Sequence, residues 1–305
     1  MKTELYNVDS QAINRAFVQK IESGRVKEAA DEFSLFVRAK MREEEIVQSI
    51  LSPMLVTEDQ LDRDVNTDEP KVIVEKEIDS VATYVPFKGS GRNRWYTGDR
   101  FEVFFGKVES ERFSKSKFQL MTYRHDIRKL LADNSVFDIG DQVDTKFFGL
   151  CGDIMTANPT QDLSPTGGFT PTNIKLMMQN MLNRKIPMGC FVMTKSLYAE
   201  TLDWPATTIS DEIAKEKFRN GIDDSLSLFG VPVKTTIKND IVPTNEAWLF
   251  GPAGQGDSRN YLGHYFYLQE PTLFIKQEAD IITFWTYSAP GIGLSGTSAV
   301  TRATF

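Results

Sequence analysis

Cysteine and histidine are nearly absent from this sequence. Its 305 residues include two of each: Cys151 and Cys190, His125 and His264. The cysteines form no CxxC pair, so neither a disulfide framework nor a thiolate metal site is expected, and two reduced, buried thiols of a cytoplasmic protein are. Two histidines cannot build a histidine-rich metal centre, and no nucleophile elbow surrounds a serine. No run of 18 apolar residues occurs, so no membrane-spanning helix is expected. The first residues carry no apolar h-region, so neither is a secretory signal. A basic excess is also missing. Lys and Arg number 35 against 42 Asp and Glu, a formal charge of −7. That argues against a dedicated DNA-binding protein, although a protein that encloses DNA without gripping it stays compatible with it.

What is present is an ordinary globular composition, 41% apolar and 25% charged. A chain of this length suggests about two domains at roughly 150 residues each and can bury a core without staples. The charge is unevenly placed. Residues 41–80 hold four basic and twelve acidic residues, whereas residues 86–129 hold eleven basic and five acidic ones.

Apolar spacings of three and four predict helix over residues 10–50, interrupted at Gly24 and ended by Pro53. With few apolar partners nearby in sequence, this segment reads as an arm that packs on something else. An acidic loop follows over residues 57–70. Residues 72–122 read as one long hairpin-like excursion. Its strands contain Val72, Ile73 and Val74, then Phe101, Val103 and Phe105, then Phe118, Leu120 and Thr122, and its basic tip runs from Lys88 to Arg94. Such a ribbon cannot bury its own faces and needs a surface, which another copy of the chain could supply. Short helices are predicted at 124–133 and 137–150. Thr170-Pro171 is a strong helix start, Ser210 caps a further helix, Cys190–Met193 reads as a buried strand, and the last third is strand-rich. The fold class is α+β.

Three patterns match binding signatures by spacing and fail on inspection. Gly291-Ile-Gly293-Leu-Ser-Gly296 has the GxGxxG frame of a dinucleotide site but no room for the following helix and acid, and reads as a glycine-rich turn. The frame from Gly251 to Ser258 puts Asp257 where a P-loop needs lysine. Asp62, Asp64, Asn66 and Asp68 alternate as in a calcium loop, but Thr67 replaces the required glycine and Ile73 the closing glutamate. We therefore assign no catalytic, cofactor or metal site.

The order of elements is similar to that of the major capsid proteins of tailed bacteriophages, the Hong Kong 97-type fold. The resemblance runs through residues 1–70 as an N-terminal arm and 71–122 as the extended loop. Asp126–Asp133 followed by Ile139–Gly149 resembles the helix pair that leads into the family's spine helix. Pro171–Lys185 and Gly189–Tyr198 resemble the axial helix, strand and helix. Leu228–Val233 looks like the G-x-P-V strand, and Asp280–Gly291 with Ala299–Arg302 is similar to the closing strands. The resemblance implies a peripheral domain of residues 123–165 and 270–305 and an axial domain of residues 166–269. It also implies a non-enzymatic structural protein that self-assembles into hexamers and pentamers of an icosahedral capsid around double-stranded DNA. The DNA would be touched only non-specifically. The implied partners are a portal, a separate scaffolding protein and, as an option, a decoration protein, with no membrane. The implied location is the virion, assembled in the bacterial cytoplasm. An encapsulin-type compartment shell is the alternative. Taken with the charge pattern, this makes Lys88, Arg92, Arg94 and Arg100 on the basic side, and Glu43, Glu44, Glu45, Asp62 and Asp64 on the acidic side, the candidate contact residues between subunits.

Overall fold

The computed structural model describes residues 3–76, 84–91, 99–204, 227–253 and 262–305. The chain begins with helices α1 (Thr3–Glu22), α2 (Val26–Glu44) and α3 (Ile46–Ile50), followed by strands β1 (Pro53–Leu55), β2 (Asp62–Arg63), β3 (Pro70–Lys76), β4 (Asp99–Phe104), β5 (Val108–Glu109) and β6 (Phe113–Ser116). Helices α4 (Lys117–Thr122), α5 (Ile127–Ser135) and α6 (Asp141–Ala157) come next, with a π-helical turn at Val136–Gly140. Then follow β7 (Asp162–Leu163), α7 (Pro171–Asn183), β8 (Cys190–Thr194) and α8 (Lys195–Ala199). The chain closes with β9 (Ser227–Leu228), β10 (Val231–Thr236), β11 (Glu246–Phe250), β12 (His264–Glu278), β13 (Ile281–Gly293) and β14 (Val300–Thr304).

These elements divide into two compact units. The first contains Met1–Thr57, Phe105–Gly149 and Tyr265–Gly291, and the second contains Glu58–Phe104, Leu150–His264 and Ile292–Phe305. Neither unit is continuous in sequence.

The first unit carries a sheet ordered β1-β12-β13-β5, with β6 also paired to β13. Along β13 the burial alternates, because successive side chains point to opposite faces: Ile282, Phe284 and Thr286 are buried while Thr283, Trp285 and Tyr287 are half-exposed. The buried face meets the N-terminal helices. Phe17, Val18 and Ile21 of α1 and Ala29 and Phe33 of α2 share one core with Leu120, Ile127, Leu131, Leu273, Ile282 and Phe284. Polar groups fasten the same contact. Buried Asn14 donates to the carbonyl of His125 at 2.8 Å and accepts from the Ile127 amide at 3.2 Å, which serves the orphan amides at the start of α5. The Leu273 amide donates to Ser34 at 2.9 Å, and Arg38 donates to the Pro271 carbonyl, also at 2.9 Å.

The expected arm is therefore corrected. Helices α1 and α2 find apolar partners within their own chain, from Leu120 to Phe284, and share one core of the first unit with them. The predicted break at Gly24 does occur, with φ +78 between α1 and α2. The expected strand through Phe118, Leu120 and Thr122 is also corrected. Ser116 and Gln119 form a capping box that starts α4, in which Leu120 alone is buried.

The second unit holds a six-stranded sheet, β7-β14-β11-β8-β10-β9, and a separate three-stranded one, β2-β3-β4. β8 lies between antiparallel β11 and parallel β10, which suits its continuous apolar run. α7 starts as its sequence predicts, with the Thr170 hydroxyl accepting from the Asn173 amide and Pro171 in the first turn. The glycine-rich turn expected at residues 291–296 is corrected in part, since β13 runs through Gly291 and Gly293. The helix expected after Ser210 lies outside the described residues.

Candidate subunit-contact surface

The long excursion is shorter and better anchored than a free ribbon. β3 and β4 pair antiparallel from Lys71↔Phe104 to Lys76↔Asp99. The base of β4 rests on the end of β13. Val103 is buried, and Phe101 stacks on His264 with ring centroids 6.2 Å apart. A Cβ at Gly293 would lie 2.5 Å from Val103 Cγ2, so only glycine admits this approach. Burial lowers the pKa of His264, which favours its neutral form.

Lys71 is the electrostatic centre of the ribbon's base. Its ammonium donates to Glu102 Oε1 at 2.6 Å and to Asp64 Oδ1 at 3.2 Å. Asp64 Oδ2 also accepts from the Asn66 amide (3.1 Å), the Thr67 amide (3.0 Å) and the Thr67 hydroxyl (3.0 Å). The Thr67 amide above all, then Lys71, holds the Asp64 carboxyl down at about 2. Of the calcium-like series noted in the sequence, Asp64 is paired with the Lys71 ammonium and Asp68 with Arg63.

Of the candidate contact residues, Asp62, Asp64, Lys88 and Arg100 belong to the second unit and Glu45 to the first. Arg100 pairs with Glu75 across the ribbon at 2.7 Å, with both side chains largely exposed. Lys88 is exposed in the segment between β3 and β4, beside the exposed apolar residues Tyr84, Val85 and Phe87. Arg92 and Arg94 lie outside the described residues. Glu43 and Glu44 end α2, and their side chains also fall outside the description. Asp62 is exposed on β2, whereas Asp64 is engaged as above. Glu45 is 2% exposed and points inward: it accepts from the Tyr265 hydroxyl at 2.9 Å and from Gln48 at 2.7 Å. Burial, and then the Glu45 charge, pushes the Tyr265 hydroxyl well above its ordinary range, so it stays a donor. Glu45 is therefore corrected from a contact residue to an interior one.

The local charge blocks are also partly satisfied at home. Lys71 with Asp64 and Glu102, Arg100 with Glu75, Arg63 with Asp68, and Glu109 with Lys107 and Arg112 all pair within the chain. Sequence reasoning missed the apolar residues flanking Lys88 as contact candidates. The signal was available, because Tyr84, Val85 and Phe87 are three large apolar residues directly beside the basic tip.

Among the described residues no group of three or more His, Cys, Asp or Glu stands together as a metal site, and no helix is long and apolar enough to cross a membrane. Burial pushes the Cys190 thiol up to about 12 and Cys151 higher still, so neither is a ready nucleophile.

No family model and no curated protein matches the sequence. Solved structures do match in fold. A structure from Microbacterium phage Oxtober96 superposes with a TM-score of 0.58 at 8% identity, covering 86% of this chain and 91% of that one. The capsid of cyanophage P-SCSP1u gives 0.54 at 9% identity, over 79% and 85%. The virus-like particle from Pyrococcus furiosus gives 0.52 at 12% identity, over 89% and 96%. The chain therefore has a mixed helix-and-sheet fold shared with viral capsid and virus-like-particle chains.

Proposed function

We propose that this protein is a shell subunit, the major capsid protein of a tailed bacteriophage. Copies of it would associate as hexamers and pentamers and close an icosahedral capsid around double-stranded DNA. The observation that carries this reading is the fold shared with phage capsid structures over most of both chains. Exposed chemistry supports it. Tyr84, Val85 and Phe87 stand in solvent beside Lys88, a placement that suits a protein whose surface is completed by its neighbours. Closed shells need several heterologous contacts per subunit, each of about 1,600 Å² in total for a standard interface. The net charge of −7 would repel packaged DNA and keep it from sticking to the wall. On this reading residues 166–269 are the axial region, and a portal and a separate scaffolding protein complete the assembly pathway. No step of this function requires a catalytic group.

Electron microscopy and sedimentation of the purified full-length chain test the proposal. Shells or capsomer rings are expected, and particles from infected cells should hold nuclease-protected DNA. A monomer or small oligomer at all concentrations overturns the shell reading. Shells filled with a protein cargo instead of DNA overturn the phage reading in favour of an encapsulin-type compartment.

A further inference from the structure

The half-exposed face of the first unit's sheet is built unlike an ordinary solvated face. Phe274 of β12 stacks on Trp285 and Tyr287 of β13, with ring centroids 5.8 and 4.8 Å apart. Two cations stand over this ladder: the Lys107 ammonium 4.9 Å from the Tyr287 ring and the Arg112 guanidinium 5.1 Å from the Trp285 ring. Glu109, directly opposite Tyr287 in the β5–β13 pairing, holds both cations, Lys107 at 3.1 Å and Arg112 at 2.9 Å. Both remain exposed despite that contact, at 60% and 64%. The result is an apolar aromatic floor with a fixed positive rim, on a chain whose total charge is negative.

The β2–β3 turn of the second unit has the opposite character. Its backbone is locked by the Asp64 carboxylate, which collects the Asn66 and Thr67 amides, and by the Asp64 amide donating to the Glu69 carbonyl at 3.0 Å. Val65 projects from it 92% exposed. Glu58, Asp62, Asp68 and Glu69 are exposed around it, together with Arg63, whose charge is paired with Asp68. This is a pre-ordered acidic hook with an apolar tip, so little conformational entropy is lost when it docks.

We infer that the aromatic–cationic face of Phe274, Trp285, Tyr287, Lys107 and Arg112 receives the acidic Val65 turn of a second copy of this chain. The inference rests on the shell reading and assigns one of its contacts. Val65 covers the ring ladder, while Asp62 and Glu69 face Lys107 and Arg112. The charge blocks seen in the sequence then have a specific meeting point, and it differs from the one expected at Arg92, Arg94 and Arg100. Duplex DNA suits the face less well, because its bases are already stacked and offer the rings no planar surface.

The test uses the full-length chain in four forms: wild type, Lys107→Glu/Arg112→Glu, Asp62→Lys/Glu69→Lys, and the quadruple variant. Assembly is followed against protein concentration by sedimentation, and particles are imaged by electron microscopy. Each double variant should raise the concentration for half-assembly by about tenfold or more. The quadruple variant should recover most of that loss, because the attraction is rebuilt with its signs exchanged. Asp62 and Glu69 are exposed, so circular dichroism and thermal midpoint of the unassembled Asp62→Lys/Glu69→Lys subunit should stay at wild-type values. If the Lys107→Glu/Arg112→Glu variant melts early, the Asp62→Lys/Glu69→Lys variant carries the decision. Wild-type shells alongside double variants that assemble normally overturn this inference and leave the shell reading intact, as does a quadruple variant no better than its parents. Normal assembly with loss of retained DNA in the Lys107→Glu/Arg112→Glu variant overturns it in favour of a polyanion site. A wild type that never assembles overturns both.

Discussion

Phe33 and Phe36 lie three positions apart on α2, and the structure gives them opposite fates. Phe33 is 2% exposed, packs on Phe17 with ring centroids 4.5 Å apart, and through Phe17 (5.9 Å to Phe284) belongs to the core of the first unit. Phe36 is 45% exposed. Truncating Phe33 to alanine removes most of a buried aromatic side chain. At about 25 cal/mol per Å² and roughly 150 Å² of lost apolar burial, the transfer contribution is near 4 kcal/mol. A residual cavity adds to that and relaxation of α2 subtracts, so about 3–5 kcal/mol is expected. Phe36→Ala gives up a smaller buried area and should cost about 1–2 kcal/mol. The assay is urea unfolding of the unassembled subunit, with the amide-exchange rates of α1 and α2 followed in parallel, because mass action in the shell would mask a subunit effect. A difference between the two variants of less than about 1 kcal/mol would show that α2 is not part of the core, and the reassignment of α1 and α2 from arm to core would be wrong.

Three further outcomes follow from the geometry. Gly293→Ala places a Cβ 2.5 Å from Val103 Cγ2 and should destabilise the docking of β4 by about 1–3 kcal/mol, seen as faster limited proteolysis of residues 99–104; unchanged protection would refute the close approach. The Asp64 carboxyl titrates at about 2 when folded, below its ordinary value of 3.8. Its depressed pKa means that its contribution is complete above pH 4 and is lost as pH falls from about 4 to 2. Exchange protection of the Asn66 and Thr67 amides should fall across that window, and Asp64→Asn should show low protection without that pH dependence. Finally, Cys151, which is fully buried, should resist a thiol reagent at pH 8 until the chain is unfolded, whereas Cys190, corrected from a buried thiol to a half-buried one, should label earlier; fast labelling of Cys151 in the native subunit would contradict its placement.

Much of the local structure was legible in the sequence because its causes are local. Thr170 and Pro171 start α7 with a hydroxyl and a fixed φ, and Gly24 breaks the N-terminal helix by adopting a positive φ. The apolar run at Cys190–Met193 could only be a buried strand. The Ser116–Gln119 capping box was equally local and was overlooked, because Phe118, Leu120 and Thr122 also alternate as a strand would.

Of the candidate contact surface, the sequence showed the blocks of charge but not their pairing. Lys71 neutralises Asp64 and Glu102 because β2, β3 and β4 lie side by side, so two acidic residues are already satisfied within the chain. Glu45 looked like a surface charge beside Glu43 and Glu44, but the irregular residue between α2 and α3 turns its carboxylate toward Tyr265, 220 positions away. Nothing within a few residues of Glu45 encodes that partner.

Composition and local pattern were sufficient for the kind of fold and for helix starts such as that of α7. They act through backbone torsions and nearest neighbours, which are written in order along the chain. The tertiary structure alone decided that the N-terminal helices are core, that Glu45 is interior, and that Lys107 and Arg112 stand over Phe274, Trp285 and Tyr287. Each of these depends on segments more than 100 residues apart being brought together, and burial of apolar surface has no direction along the sequence that could announce its partner beforehand.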